Sequence, residues 1–158
     1  MSVDNQTAQK ASSRGQGNTA QRIFTGAHTF FYRLSGGKLG GRFRKSPVLL
    51  LITTGRKTGK QRTTPLLYLR DGNNIVLVAS NGGAAKHPTW WLNLQTHAQT
   101  EVEVGSQKLH VTARQANAEE RQHLWPLLVD MYSPYDDYQQ KTSREIPVVI
   151  LEPVEALR

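Results

Sequence analysis

The sequence predicts an α+β fold in which a few helices flank a mainly antiparallel, barrel-like sheet. Apolar runs of strand length arrive as pairs across strong turn signals, and segments with helical spacing fall between those pairs. The regular strand–helix alternation of a doubly wound α/β fold is missing, and no internal repeat is detectable. At 158 residues the chain suits one domain with a real core.

In chain order, residues 1 to 20 are polar, with no large apolar residue beyond Val3, and are expected to be a disordered tail. The remainder, 21 to 158, is read as the single folded domain. From Arg22 to Leu34, Ile23, Phe24, Ala27, Phe30 and Phe31 recur at helical spacing, and Ser35-Gly36-Gly37 supplies a stop. Val48 to Ile52 is a short apolar run flanked by Pro47 and Gly55, which favours a buried strand. Thr63 to Leu69 and Ile75 to Ala79 flank Asp71-Gly72-Asn73-Asn74 and are expected to pair as a hairpin. Pro88 suits the first turn of a helix carrying Trp90, Trp91, Leu92 and Leu94. Glu101 to Val104 and Lys108 to Ala113 form a second expected hairpin across Gly105-Ser106. Asn117 and Glu120 make a capping box for a helix that Pro126 should kink or split, and Ile146 to Leu151 is a last strand.

The longest apolar run is far too short to cross a bilayer, and the polar start lacks the apolar core of a secretory signal, so cytoplasmic residence is expected. The absence of cysteine excludes disulfides, thiolate nucleophiles and cysteine-ligated metals. No second histidine stands at ligand spacing beside His87, so no metal is expected. A net charge of +8 points to an anionic partner: nucleic acid, an acidic lipid surface or a polyanionic small molecule.

Three constellations could carry chemistry. Gly55-Arg56-Lys57-Thr58-Gly59-Lys60-Gln61-Arg62 places four cations in eight positions between two strands. Glycines let amides approach an anion, arginine offers a planar fork and lysine a point charge, which together suit a phosphoryl group. Taken alone, a solvated hairpin tip fits equally well. A P-loop does not, because the glycines are one residue too close and Gln61 stands where Ser or Thr would bind magnesium. Next, Ser80 to Trp91 joins a strand end, a Gly-rich loop and a helix start, offering free amides and indole faces. For one of the two tryptophans a plain core role is expected, since adjacent helical residues point apart. Finally, Tyr132, Tyr135 and Tyr138 recur at intervals that line one side of a helical turn. Phenols stay protonated at neutral pH and can hydrogen-bond an acceptor oxygen, although packing against the sheet is the commoner use of such a patch.

With these segments in hand, the chain resembles the deazaflavin-dependent nitroreductase family of actinobacteria, split-barrel enzymes also described as F420-dependent quinone reductases. The likeness runs from about Arg44 to Pro153. It rests on Gly-Arg-Lys-Thr-Gly with Arg62, Ala79-Ser80-x-Gly82-Gly83, Lys86-x-Pro88-x-Trp90-x-Leu92-Asn93-Leu94, the three tyrosines, and Arg144-x-Ile146-Pro147. The resemblance implies a split β-barrel like that of FMN-binding proteins, coenzyme F420 as cofactor, and hydride transfer to an organic acceptor. That acceptor is expected to be a quinone, with nitroaromatics or enones as others. It further implies that Lys57 and Arg62 hold the cofactor phosphate, helped by Arg56 and Thr58. Thr63, Thr64, Pro65, Leu66 and Leu67, then Val78, Ala79, Ser80 and Asn81, would frame the deazaflavin and its ribityl chain. Lys86, Thr89, Trp90, Trp91, Leu92 and Asn93 complete that frame. Arg44, Lys45 and Lys60 are electrostatic candidates for the carboxylates of the glutamyl tail. The tyrosines would shape the acceptor pocket, with Tyr132 or Tyr135 as proton donor, and Ser80 would orient the reacting ring. Three positions depart from the nitroreductase pattern: Asn81 replaces a lysine, and Leu67 and Trp91 each replace a tyrosine.

The alternatives are a split barrel using FMN, which would leave part of the basic surface without a use, and a basic nucleic-acid-binding module. The chain lacks an RNP, helix-turn-helix or zinc-finger pattern, which makes nucleic acid the poorer partner. The basic aromatic segment from Arg22 to Leu34 could lie on an anionic membrane at the inner face, or cap the barrel instead. Both a monomer and a homodimer are compatible with the sequence.

Overall fold

The structure is a computed structural model that describes the backbone of Arg42–Phe43 and residues 46 to 154 in full. The expected tail, the expected helix from Arg22 to Leu34 with its glycine stop, and Arg44 and Lys45 lie outside the described residues. The strands are β1 (Arg42–Phe43), β2 (Ser46–Thr54), β3 (Gln61–Leu67), β4 (Leu69–Asp71), β5 (Asn74–Val78), β6 (Gln99–Val104), β7 (Gln107–Gln115) and β8 (Val148–Pro153). The helices are α1 (Thr89–Thr96), α2 (Ala118–Met131) and α3 (Pro134–Lys141). Among the described residues no helix is long and apolar enough to cross a membrane.

Every strand pairing is antiparallel, in the order β1-β2-β6-β7-β8-β5-β4, with β3 also paired to β2. The hairpin expected between Thr63–Leu69 and Ile75–Ala79 is corrected here. The run breaks at Tyr68, and β3 pairs instead with β2, from Val48↔Leu67 to Thr54↔Gln61. Only β4 pairs with β5, from Leu69↔Val76 to Asp71↔Asn74. Strands β3 and β4 therefore sit at opposite ends of the sheet although one residue separates them in the chain. A flat sheet could not allow this, so the sheet curls until its ends approach; the Tyr68 amide, donating to the Pro47 carbonyl at 3.2 Å, carries the β2–β3 ladder one residue further before the chain turns into β4. This is the barrel-like sheet the sequence predicts.

Strands β5 and β8 are apolar at successive positions because both of their faces are covered. Ile75, Leu77, Val149 and Leu151 face a core shared with Trp90, Trp91 and Leu94 of α1. Val76, Val78, Val148 and Ile150 face a second core with Leu124 and Leu128 of α2 and Tyr135 of α3. The predicted capping box is present: the Asn117 side chain accepts from the Glu120 amide, and Glu120 accepts from the Asn117 amide. Of the two outcomes expected at Pro126, a split does not occur: α2 runs unbroken through it. Its ring deprives Gln122 of an amide partner, but Gln122 is exposed and water can take that place, while Leu124 and Leu128 anchor the helix from the buried side.

Candidate active site

The loop between β2 and β3 carries the cationic motif. Its backbone closes on itself, with Gly55 N–H donating to Lys60 O and Gly59 N–H to Gly55 O, both at 2.8 Å. A Cβ on Gly55 would lie 2.7 Å from Thr58 Oγ1 and 3.2 Å from Lys60 O, so only glycine fits there. Arg56, Lys57, Lys60 and Arg62 are all exposed, and among the described residues none is paired with a carboxylate. Four like charges on a pinned hairpin repel one another, and an anion bound among them relieves that repulsion. The loop thus fits a phosphate on its own chemistry.

Asn93 fastens this loop to α1. Only 2% exposed, it accepts from Arg56 N–H through Oδ1 at 3.1 Å and donates through Nδ2 to Thr53 Oγ1 at 3.3 Å. Each end of its amide is bonded to protein, so Asn93 braces the loop from α1. Thr89, at the start of α1, lies about 6 Å from Asn93 along the helix axis. The cationic loop and the loop preceding α1 therefore meet at one helix.

That preceding loop turns sharply. Asn81, Gly82 and Gly83 follow one another at positive φ, 47°, 64° and 82°. The Asn81 side chain donates to Lys86 O at 3.0 Å, a local bond in place of the contact a lysine would offer there. Arg144, expected only as part of a motif, crosses to this loop. Its guanidinium donates to the carbonyls of Ala79, Ser80 and Ala84 at 3.3, 2.8 and 2.9 Å and lies 3.2 Å from His87 Nδ1. Burial, and then the Arg144 charge, hold the His87 pKa below its ordinary value.

Both tryptophans are core residues, Trp90 7% and Trp91 4% exposed, where the sequence placed only one. Both pack into one core with Leu49 and Leu51 of β2, Leu77 of β5, Val102 of β6 and Val149 of β8, since the sheet curls around α1. Trp91 Nε1 is buried without a hydrogen-bond partner, leaving a donor in the α1 core. The strand residues divide by the pleat: Leu66 packs toward the α1 core, while Leu67 and Val78 pack toward α2 and α3. The run from Thr63 to Leu67 cannot present all its side chains to one ligand.

The tyrosines do converge. Ring centroids of Tyr132 and Tyr135 are 5.0 Å apart, and each lies 6.4 Å from Tyr138. The Tyr132 and Tyr138 hydroxyls approach to 3.5 Å. Tyr135 is 5% exposed, and burial followed by its two phenol neighbours pushes its pKa well above the ordinary value. Its ring props up the other two. Helix α3 seats this cluster against the Asn81–Gly83 turn, where a Cβ on Gly83 would come within 2.8 Å of Tyr138 O.

Residues 25–153 match the family model described as F420H(2)-dependent quinone reductase. The chain belongs to the F420H(2)-dependent quinone reductase family. It is 41% identical over 128 residues to the F420H(2)-dependent quinone reductase Rv1261c of Mycobacterium tuberculosis H37Rv, covering 78% of this chain and 86% of that one. Among solved structures it is similar to an F420-H2 dependent reductase, FDR-A, with a TM-score of 0.62 and 44% identity over 67% of this chain and 94% of that one. A chain described as a domain-swapped dimer matches with a TM-score of 0.65 and 36% identity, covering 86% of this chain and all of the other. The fold is thus the split barrel of F420 reductases, and the family's cofactor is coenzyme F420, which removes the case for FMN. The protein is an F420H2-dependent oxidoreductase whose family reaction is hydride transfer to a quinone.

Proposed function

We propose that this chain reduces a quinone in the space bounded by the cationic loop, the start of α1 and the tyrosine cluster. The observation that carries the reading is the set of four cations, without a carboxylate partner among the described residues, on a hairpin fastened through Asn93 to the helix that follows the second loop. Coenzyme F420, when bound, supplies the hydride. Lys57 and Arg62, with Arg56, would hold its phosphate, and Lys60 or Lys86 would meet tail carboxylates. Ser80 and the amides of its loop would orient the ring. Reduction of a quinone also needs a proton at oxygen, and the adjoining hydroxyls of Tyr132 and Tyr138, 3.5 Å apart, would hydrogen-bond that oxygen and supply one. Tyr135, buried and hard to ionise, supports them.

Titrating the protein with F420 and following deazaflavin fluorescence tests the phosphate assignment. Replacing Lys57 and Arg62 together by alanine should weaken binding by about 10² or more, two charge-assisted bonds being lost. Tyr132→Phe should lower kcat with menadione while leaving F420 affinity intact, and Tyr135→Phe should lower thermal stability first. Unaltered affinity in the double alanine variant would remove the assignment. The domain-swapped neighbour supports dimerisation, which light scattering of the purified protein tests. Peripheral contact of residues 22 to 34 with an anionic membrane would bring the site to lipid-soluble quinones. Equal liposome co-sedimentation with and without residues 1 to 34 would exclude it.

A further inference from the structure

We propose that Arg144 is a positioning residue that aims a row of backbone amide donors at the carbonyl-bearing edge of the deazaflavin. The inference rests on the site reading above. Arg144 has no carboxylate partner among the described residues and spends its guanidinium on three carbonyls of one loop, 60 to 65 residues away in the chain. In a planar trans peptide the carbonyl and the following N–H point in opposite directions. Drawing the carbonyls of Ala79, Ser80 and Ala84 onto Arg144 therefore turns the N–H groups of Ser80, Asn81 and Ala85 away from it. Among the described residues none of these three N–H groups has a hydrogen-bond partner, whereas Gly83 and Ala84 N–H are bonded within the turn. Unpaired donors beside a helix start suit the ring carbonyls of a flat heterocycle, and such bonds tune its electron density.

His87 completes the clamp. Its Nδ1 lies 3.2 Å from an Arg144 nitrogen that can only donate, so the imidazole must be neutral, with its proton on Nε2. The loop would otherwise relax, since Asn81 holds the left-handed conformation at a cost of roughly 1 kcal/mol. Lysine at position 144 keeps the charge but loses the fork that reaches three carbonyls at once. Glutamine at position 87 keeps an acceptor for Arg144 without titrating.

Amide hydrogen exchange of the full chain, with and without oxidised F420, tests this without turnover. In the wild type F420 should slow exchange at Ser80, Asn81 and Ala85 by about tenfold or more, as expected for amides that gain an acceptor. Arg144→Lys should lose that protection and bind F420 about tenfold more weakly, and His87→Gln should retain both. Protection and affinity unchanged in Arg144→Lys would overturn the proposal. Should that variant fail to fold, unprotected amides in the F420-bound wild type would overturn it equally. If the double alanine variant at positions 57 and 62 binds as the wild type does, the site reading itself falls. If that variant weakens binding while the three amides stay unprotected, only the role of Arg144 falls.

Discussion

Replacing Asn93 by alanine should cost both stability and cofactor affinity, because one buried amide joins the cationic loop to α1. The substitution removes a bond from Arg56 N–H at 3.1 Å and one to Thr53 Oγ1 at 3.3 Å, and it leaves the Thr53 hydroxyl, itself buried, without that partner. Two bonds of about 1 kcal/mol each, with part of the desolvation penalty of a stranded group, give about 2–3 kcal/mol. For a chain of this size that lowers Tm by roughly 4–12 °C. Freed from α1, the loop would also have to order its cations on binding, and F420 affinity should fall by about tenfold for each 1.4 kcal/mol of ordering. Differential scanning calorimetry of the apo-protein and fluorescence titration with F420 read the two effects separately. A Tm unchanged within about 1 °C would refute the hydrogen-bond accounting. A lowered Tm with unchanged affinity would refute the link between scaffold and phosphate loop.

Three further outcomes follow from the same geometry. Glu120 bonds Arg114 through both oxygens at 2.7 and 2.8 Å and caps α2, and these contacts pull its pKa from 4.5 down to about 2. Its contribution is present above pH 4.5 and is lost as pH falls toward 2. Glu120→Gln should flatten that acid limb and cost about 1 kcal/mol at neutral pH, the ion pair being partly solvent-screened. His87, whose folded pKa lies below 6.5, contributes fully above that pH. Stability and F420 affinity should decline as pH drops below 6.5, and His87→Gln should remove the dependence. Gly83→Ala forces a Cβ to within 2.8 Å of Tyr138 O at a φ of +82°. It should destabilise by about 1–3 kcal/mol and raise KM for the quinone as α3 is pushed from the turn.

Local signals made most elements legible. The capping box at Asn117, the turn at Gly105-Ser106 and the apolar runs of β2 and β8 were read correctly because each depends on residues near in sequence. The partner of β3 was not. Asp71-Gly72 is a strong turn signal, but it nucleates only the three-residue β4, while the pleat of β3 matches β2. The cationic loop was visible as a motif, since glycine spacing and charge are local. The roles of Asn93 and Arg144 were not visible, because each acts on backbone 37 to 65 residues distant. Burial of both tryptophans likewise depends on the sheet curling around α1, which adjacency on a helix does not reveal.

The last strand is also the keystone. Strand β8 lies between β7 and β5, pairing Val111↔Pro153 on one side and Val78↔Val148 on the other. Without it the sheet would part into a five-stranded piece and a small hairpin, each with a raw edge. A growing chain therefore cannot shut its barrel until β8 has been made. Until then those two edges are open to each other, to a chaperone, or to the β8 of a neighbouring copy.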